Sequence, residues 1–332
     1  MSKYVSCFLM GGLGNQLFQL FTTIAYSIKY KRKLLFPYAD KLYTGTIRYT
    51  YWDTFLYTLK MYTKYDNKNS FKTDMLNLFS KYKENGFEYS EIPDLSPDKV
   101  FLHGYYQSYK YFEKEKNTIF SLIRLRKQQE SILLEHPLFA TYENKISMHF
   151  RLGDYKEIQN CHPLMPYEYY ENALDVIINN NNENIISSEK KYYDDVFISL
   201  NNTIVEPRAL PIKTINTDIL NNDVKLDMKY NVFYFCQKED NEIVSTIINK
   251  LKEKFINVNF FKIDDELPDW KQLLLMSCCI HNIIANSTFS WWGAYFNDNA
   301  DKIVCYPHKW FGNSIQHNTN DLFPCEWNKI MF

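Results

Sequence analysis

The chain has 332 residues, enough for two domains, and its 45% hydrophobic and 23% charged content is ordinary for a globular protein. The 38 basic and 39 acidic side chains leave a net charge of −1, which argues against non-specific nucleic-acid binding. Seven cysteines without a C-x-x-C pair argue against a zinc ribbon or a disulfide framework. Neither a secretory signal nor a run of the roughly 18 to 20 apolar residues that span a membrane is evident. We therefore expect a cytoplasmic protein without a transmembrane segment, and peripheral membrane contact stays open.

The first 30 residues predict a strand, a glycine turn and a helix, which is the start of a βα unit. Residues 4–10 are rich in β-forming side chains. The segment after the turn has apolar residues on one helical face: Leu17, Phe21, Ile24 and Ile28. Residues 33–96 are irregular and rich in tyrosine, and we assign no elements there. A short strand and a helical stretch are predicted within residues 100–126.

A second series of alternating strands and helices begins near residue 145. The predicted strands span residues 145–150, 231–235, 258–263, 280–285 and 302–306. The predicted helices span residues 167–178, 242–255, 269–279 and 289–296. The helix over 242–255 has an apolar stripe made of Ile243, Ile247, Leu251 and Phe255. Such alternation predicts a mostly parallel sheet, which binds ligands outside the carboxyl ends of its strands.

The first motif is a glycine turn that follows the first predicted strand and opens the helix. Its glycines, Gly11, Gly12 and Gly14, allow backbone N–H groups to approach an anion at the helix N-terminus. Leu17 stands where a dinucleotide fingerprint needs a small residue, and no Gly-Lys-Ser/Thr follows, which excludes that fingerprint and a P-loop. A ligand site and a purely structural turn are both open at this point.

The second motif, His149-Phe150-Arg151-Leu152-Gly153-Asp154-Tyr155, directly follows a predicted strand. The planar fork of Arg151 can bind two phosphate oxygens, and Gly153 allows close approach of the backbone. Asp154 either orients Arg151 or contacts the acceptor. The alternative is a buried His149 beside a structural Arg–Asp pair, but the position at a strand end favours a ligand site.

The third motif spans residues 286–293 and places polar side chains at a helix start. Its leading residues are Asn286, Ser287, Thr288, Phe289 and Ser290. A helix cap needs only one such polar residue, whereas four of these five residues are polar. Hydroxyl groups beside free backbone N–H groups suit the binding of a phosphate. Trp291 and Trp292 fit core packing better than a stacking platform. Together, the second and third motifs are expected to bind a diphosphate.

In combination these motifs resemble glycosyltransferase family 11, the α-1,2-fucosyltransferases. The matching segments, in the family's order, are residues 11–19, 104–108, 111–112, 149–155, 166–173, 275–277 and 283–294. Two departures stand out. Leu152 replaces the second Arg of the family's His-x-Arg-Arg-Gly-Asp-Tyr motif. Residues 233–240 stand where the family usually has Phe-Ser-Asp-Asp, and their acidic residues occupy shifted positions.

The resemblance implies an α/β fold of GT-B-like type, in which two Rossmann-like α/β domains face a central cleft. We assign residues 1–140 to the acceptor side and residues 141–332 to the nucleotide sugar, with an insertion over 179–229. The implied reaction inverts the anomeric carbon of GDP-β-L-fucose and forms an α-1,2 link to a galactose-terminated glycan. Neither a metal nor another cofactor is expected.

By the same resemblance Arg151 binds the diphosphate and, with Asp154, forms the predicted catalytic pair. The predicted donor-binding set is Asn15, Gln16, His149, Arg151, Gly153, Asn286, Ser287, Thr288, Phe289 and Ser290. Asn15 and Gln16 are expected to face the other members across the cleft. The candidate bases are Asp154, Glu157, His149 and His162, and a late proton loss without a dedicated base is equally open.

Three other functions compete with this hypothesis. Because Leu152 removes one charge, a transferase of another nucleotide-activated deoxyhexose, such as L-rhamnose or a modified fucose, stays open. A non-catalytic nucleotide- or glycan-binding relative is the second, although the presence of Arg151 argues against it. A nicotinamide dehydrogenase is the third, and the missing third glycine of the fingerprint disfavours it.

Overall fold

The structure is a computed structural model that describes residues 2–43, 45–64, 73–180 and 230–332. The predicted insertion over 179–229 lies outside these residues, except for 179 and 180, which end a described helical segment. Each half of the chain builds its own parallel sheet with helices packed on it.

The described part of the N-terminal half contains eight strands, seven of which are only two to four residues long. They are β1 (Tyr4–Cys7), β2 (Lys33–Leu34), β3 (Phe36–Pro37), β4 (Lys41–Leu42), β5 (Arg48–Tyr49), β6 (Thr63–Lys64), β7 (Ser80–Lys83) and β8 (Lys99–His103). Four of them form a parallel sheet in the order β2-β1-β8-β7. Helix α1 (Leu13–Lys29) follows β1 through the glycine turn, as predicted.

Three helices connect the two halves, and short 3-10 turns complete the described part of the chain. The helices are α2 (Lys116–Leu122), α3 (Leu125–Glu135) and α4 (Pro137–Thr141). The 3-10 turns are Tyr57–Tyr62, Thr73–Leu78, Tyr109–Tyr111, Glu113–Glu115, Gly153–Glu157 and Lys238–Asp240.

The C-terminal half is a six-stranded sheet in which all neighbours are parallel. Its strands are β9 (Lys145–His149), β10 (Tyr230–Phe235), β11 (Val258–Lys262), β12 (His281–Ile283), β13 (Val304–Pro307) and β14 (Asn328–Ile330), in the spatial order β11-β10-β9-β12-β13-β14. Its helices are α5 (residues 167–180), α6 (Asn241–Lys254), α7 (Asp269–Ser277) and α8 (Thr288–Tyr295). The predicted elements are present within a few residues, and β14 was not predicted.

The apolar stripe predicted for α6 is confirmed at Leu251 and Phe255 and is wrong at Ile243. Ile243 is 46% exposed, whereas Val244, Ile248 and Leu251 are buried. Val244 and Ile248 follow Ile243 and Ile247 by one residue, so the sequence contains two apolar series. Packing of the helix against the sheet determines which series is buried. Ile28, at the end of the stripe predicted for α1, is also exposed.

A shared aromatic core, here called the seam, joins the two halves where α1 packs against α8. The ring of Phe18 lies 4.5 Å from that of Trp291, and the ring of Phe21 lies 4.7 Å from that of Trp292. Trp292 also donates its indole N–H to the carbonyl of Gly14 at 2.9 Å. Both tryptophans are fully buried, which confirms their predicted core packing.

The predicted fold class is confirmed: two Rossmann-like α/β units lie on either side of a central cleft. The two main sheets use residues 4–103 and 145–330, whereas the seam crosses between the halves, and the exact boundary at 140/141 stays a prediction. Within the described ranges, no helix combines the length and the apolar character needed to cross a bilayer.

Candidate active site

A cleft of about 690 Å³ opens between the two halves at the carboxyl ends of the strands. The N-terminal half contributes the turn at 11–15 and Arg48. The C-terminal half contributes the residues after β9 and β10, part of the segment 265–272, and the start of α8. This is the edge at which a parallel sheet presents ligand groups, so the sequence prediction of where the site lies agrees with the fold.

Most of the predicted site residues meet in this cleft. Those that line it are Gly11, Gly12, Gly14, Asn15, His149, Arg151, Asp154, Ser287, Thr288 and Phe289. Four others do not line it: Gln16, Gly153, Asn286 and Ser290.

The guanidinium group of Arg151 is held in a fixed position at the end of β9. Its Nη2 donates to Oδ1 of Asp154, and its Nη1 donates to Oε1 of Gln237 at 3.3 Å. The guanidinium carbon lies 4.8 Å from the ring centre of Tyr155. Contacts on two edges and one face orient the cation towards the cleft while the side chain keeps partial access to solvent.

Asp154 bridges two cations from opposite halves of the molecule. Its Oδ1 accepts from Arg151, and its Oδ2 lies 3.9 Å from Nη2 of Arg48. The carboxylate is 54% exposed, so a ligand that enters the cleft can reach it. The expectation that Asp154 orients Arg151 fits these contacts.

His149 is buried beside Arg151 and is uncharged near neutral pH. Burial, with a smaller contribution from the Arg151 charge, lowers the pKa of His149 from 6.5 to about 3. Its Nδ1 has no hydrogen-bond partner among the residues that the structure describes. Because the ring is neutral near pH 7, His149 contributes no positive charge to phosphate binding.

Gly153 shapes the motif loop instead of lining the cleft. Its φ of +37° lies in the left-handed region, and a Cβ there would lie 2.1 Å from Oε1 of Gln237. Its N–H donates to Oδ2 of Asp240 at 2.9 Å, and Lys156 pairs with Oδ1 of the same carboxylate at 2.7 Å. The fully buried Asp240 therefore fixes the loop that carries Arg151.

The start of α8 engages its hydroxyl groups mainly within the protein. Ser287 is the N-cap, and its hydroxyl accepts from the N–H of Phe289 at 3.3 Å. Ser290 is buried and donates to the carbonyl of Ser287, while Asn286 donates to the carbonyl of Pro163 at 2.9 Å. Asn286 and Ser290 therefore make hydrogen bonds within the protein instead of facing the cleft. Ser287 and Thr288, at the start of the helix, line the cleft.

Asn15 lies at the point where the two halves touch. Its Oδ1 accepts from Nε2 of Gln107 and from the hydroxyl of Thr288, each at 2.9 Å. Two donors fix the oxygen side of the amide, which leaves its NH₂ group to donate. Gln16 is fully buried, and its Nε2 donates to the carbonyls of Gly11 at 3.0 Å and Tyr49 at 2.8 Å.

Sequence reasoning missed several residues that shape the cleft: Arg48, Gln107, Gln237, Asp240 and Asp269. Gln107 lies in the matched segment 104–108, so that motif was a usable signal. Asp240 appeared only as a displaced acidic residue. Arg48 lies in the unassigned region 33–96, where two-residue strands leave no periodic pattern.

Comparison with known proteins identifies the family that the chain resembles. The family model described as Glycosyl transferase family 11 matches residues 227–331. An α-1,2-colitosyltransferase of Escherichia coli is 27% identical over 337 aligned positions, which cover 97% of each chain. The predicted resemblance to glycosyltransferase family 11 is therefore confirmed.

The chain is also similar to a second relative and to solved structures. The O-antigen biosynthesis glycosyltransferase WbnK of Escherichia coli is 26% identical over 228 residues, covering 66% of this chain and only 58% of its own length. Among solved structures, a mutant of Arabidopsis thaliana FUT1 in complex with GDP has a TM-score of 0.42 at 11% identity, covering 92% of this chain and 70% of that one. POFUT1 in complex with GDP-fucose has a TM-score of 0.38 at 11% identity, covering 91% and 97%.

Proposed function

We propose that this glycosyltransferase transfers L-fucose from GDP-β-L-fucose to a galactoside hydroxyl, with inversion and without a metal, to form an α-1,2 link. The observation that carries the proposal is the convergence of Arg151, the NH₂ group of Asn15 and the start of α8 on one cleft between two α/β units. A cation, an amide donor and a helix N-terminus together suit a sugar nucleotide diphosphate.

The principal catalytic role belongs to Arg151. Cleavage of the bond between the sugar and GDP places negative charge on the leaving phosphate. A cation already held by Gln237, Asp154 and Tyr155 stabilises that charge without reorganising during the reaction. Loss of one such preorganised group costs about 10²- to 10³-fold in rate.

The candidate bases differ in their suitability to deprotonate the acceptor hydroxyl. His149, with a pKa of about 3, is a poor base near pH 7. Burial also lowers the pKa of His162, which does not line the cleft. Asp154 lies in the cleft beside Arg151, so we assign it either proton transfer or the orientation of Arg151.

The first experiment follows GDP release from GDP-fucose in the presence of EDTA, with and without simple β-galactosides. We expect release that depends on the acceptor, survives EDTA and falls at least 100-fold in Arg151→Ala. The matched control is Arg126→Ala, because Arg126 is 88% exposed on α3 and pairs only with Glu130 among the described residues. If the protein neither binds GDP-fucose nor releases GDP, the fucose assignment is wrong.

A second donor is favoured by the relative that matches over nearly the full length of this chain, an α-1,2-colitosyltransferase. Colitose is fucose without its 3-hydroxyl group. The same diphosphate-binding residues and the same α-1,2 geometry therefore suit both sugar donors. A competition between GDP-fucose and GDP-colitose for limiting enzyme separates the two candidates. A kcat/KM ratio above 10 in favour of colitose would replace fucose in the proposal.

A further inference from the structure

Arg48 brings a positive charge to the cleft from the half opposite Arg151 and Lys238. It lies on β5, is 39% exposed, and lines the cleft. Its Nη2 is 3.9 Å from one oxygen of Asp154, while Arg151 donates to the other oxygen. A single carboxylate therefore lies between two guanidinium groups, in the arrangement that a doubly charged phosphate would also satisfy.

The backbone that carries Arg48 is tied to the glycine turn. The buried amide of Gln16 donates to the carbonyl of Tyr49, the next residue, and to the carbonyl of Gly11. In addition, β5 pairs with β4 through Arg48 and Leu42. The backbone of Arg48 is thus fixed relative to the glycine turn that lines the cleft.

The motif after β9 itself brings a single cation to the cleft. Leu152, which follows Arg151, is only 5% exposed and packs in the core of the C-terminal half. The motif therefore directs one cation towards the cleft, whereas a diphosphate leaving group develops charge on several oxygens. Arg48 is the nearest described cation to Asp154 apart from Arg151.

We propose that Arg48 binds the β-phosphate of the donor across the cleft and supplies the second cation that Leu152 does not. The phosphate accepts from N–H groups of Arg48 and Arg151 while Arg151 keeps its bond to Asp154, and it links the two halves of the molecule. This inference rests on the proposed function, because it requires a nucleoside diphosphate donor. Arg48 could alternatively contact the acceptor, and the experiment below separates the two roles.

The experiment compares the binding of GDP and GMP by calorimetry in the wild type, Arg48→Gln and Arg48→Lys. A charged hydrogen bond to the β-phosphate predicts a 10- to 100-fold loss of GDP affinity in Arg48→Gln, with GMP affinity unchanged. Arg48→Lys keeps the charge but loses the fork, so its loss is intermediate. Arg126→Gln, a solvent-exposed arginine of α3, is the matched control.

Each outcome either supports or overturns the role proposed for Arg48. A collapse of the GDP-to-GMP affinity ratio in Arg48→Gln supports the inference, because a merely structural defect would weaken both ligands. Unchanged GDP affinity, even with a raised KM for the acceptor, overturns it, as does an equal loss for GDP and GMP. Wild-type protein that binds no GDP at all would overturn the proposed donor itself, which is a separate failure.

Discussion

Gly14 lies where the first turn of α1 meets the start of α8, and its replacement by alanine tests the contact between the two halves. A Cβ at this position would lie 2.5 Å from the carbonyl carbon of Thr288 and 2.7 Å from the backbone nitrogen of Phe289. These are backbone atoms, which cannot rotate away. Because ordinary contacts need about 3.5 Å, the two segments must separate by roughly 1 Å.

The magnitude follows from the contacts that such a separation disturbs. Two hydrogen bonds join these segments, from Trp292 to Gly14 and from Thr288 to Asn15, each 2.9 Å long. Each contributes about 1 kcal/mol, and overpacking adds about 1–3 kcal/mol. Alanine regains about 1 kcal/mol of helix propensity. We expect Gly14→Ala to lower the free energy of unfolding by about 2–4 kcal/mol.

The assay is urea unfolding followed by tryptophan fluorescence, together with GDP release under the proposed reaction conditions. Gly12→Ala is the matched control, because no described heavy atom lies within 4 Å of a Cβ at Gly12 and its φ of −77° suits alanine. Helix propensity alone predicts that Gly14→Ala is stabilising. If Gly14→Ala unfolds at the same urea concentration as the wild type and Gly12→Ala, the argument from crowding is refuted.

Three further substitutions test the site and the contact between the halves. Asp240→Asn weakens the bonds that hold the motif loop and Lys156, so we expect about 1.5–3 kcal/mol of destabilisation and a lower kcat, measured by urea unfolding and GDP release. His149 has a folded pKa of about 3, below its unfolded value near 6.5, so the unfolded chain binds the proton first and stability falls as the pH drops from 6.5 towards 3. Between pH 7 and pH 5 this amounts to about 2 kcal/mol, and His149→Gln should lose correspondingly less stability than the wild type over that interval; equal losses would contradict the assignment. Tyr51→Phe removes the hydroxyl that donates to Asp269 between the two halves and should cost about 1 kcal/mol in unfolding free energy, measured by urea unfolding.

The C-terminal half was predictable because its elements are regular. Strands of three to six residues alternate with helices, and the rule that ligands lie at strand carboxyl ends brings Arg151 and Ser287 together before any coordinates are known. The details that failed depend on packing. Nothing in the run of α6 distinguishes the Ile243 series from the Val244 series until the helix lies on its sheet.

The N-terminal contribution to the site was only partly predictable. The glycine turn and Asn15 follow a clear strand, whereas Arg48 lies between two-residue strands whose pairing depends on distant residues. Gln16 shows a second limit. A polar side chain in a functional motif suggests ligand contact, but its amide is buried and bonds two backbone carbonyls, which only the fold reveals.

The seam between α1 and α8 also has a consequence for folding during synthesis. Gly14 and its partner Trp292 are 278 residues apart in the chain, so α1 leaves the ribosome long before α8 exists. At about 5–20 residues per second, this interval is roughly 14–56 s. During that time Phe18 and Phe21 lack the tryptophan rings that cover them in the finished protein. The nascent N-terminal half therefore exposes an aromatic surface, which is a binding site for chaperones and a point of aggregation when translation stalls.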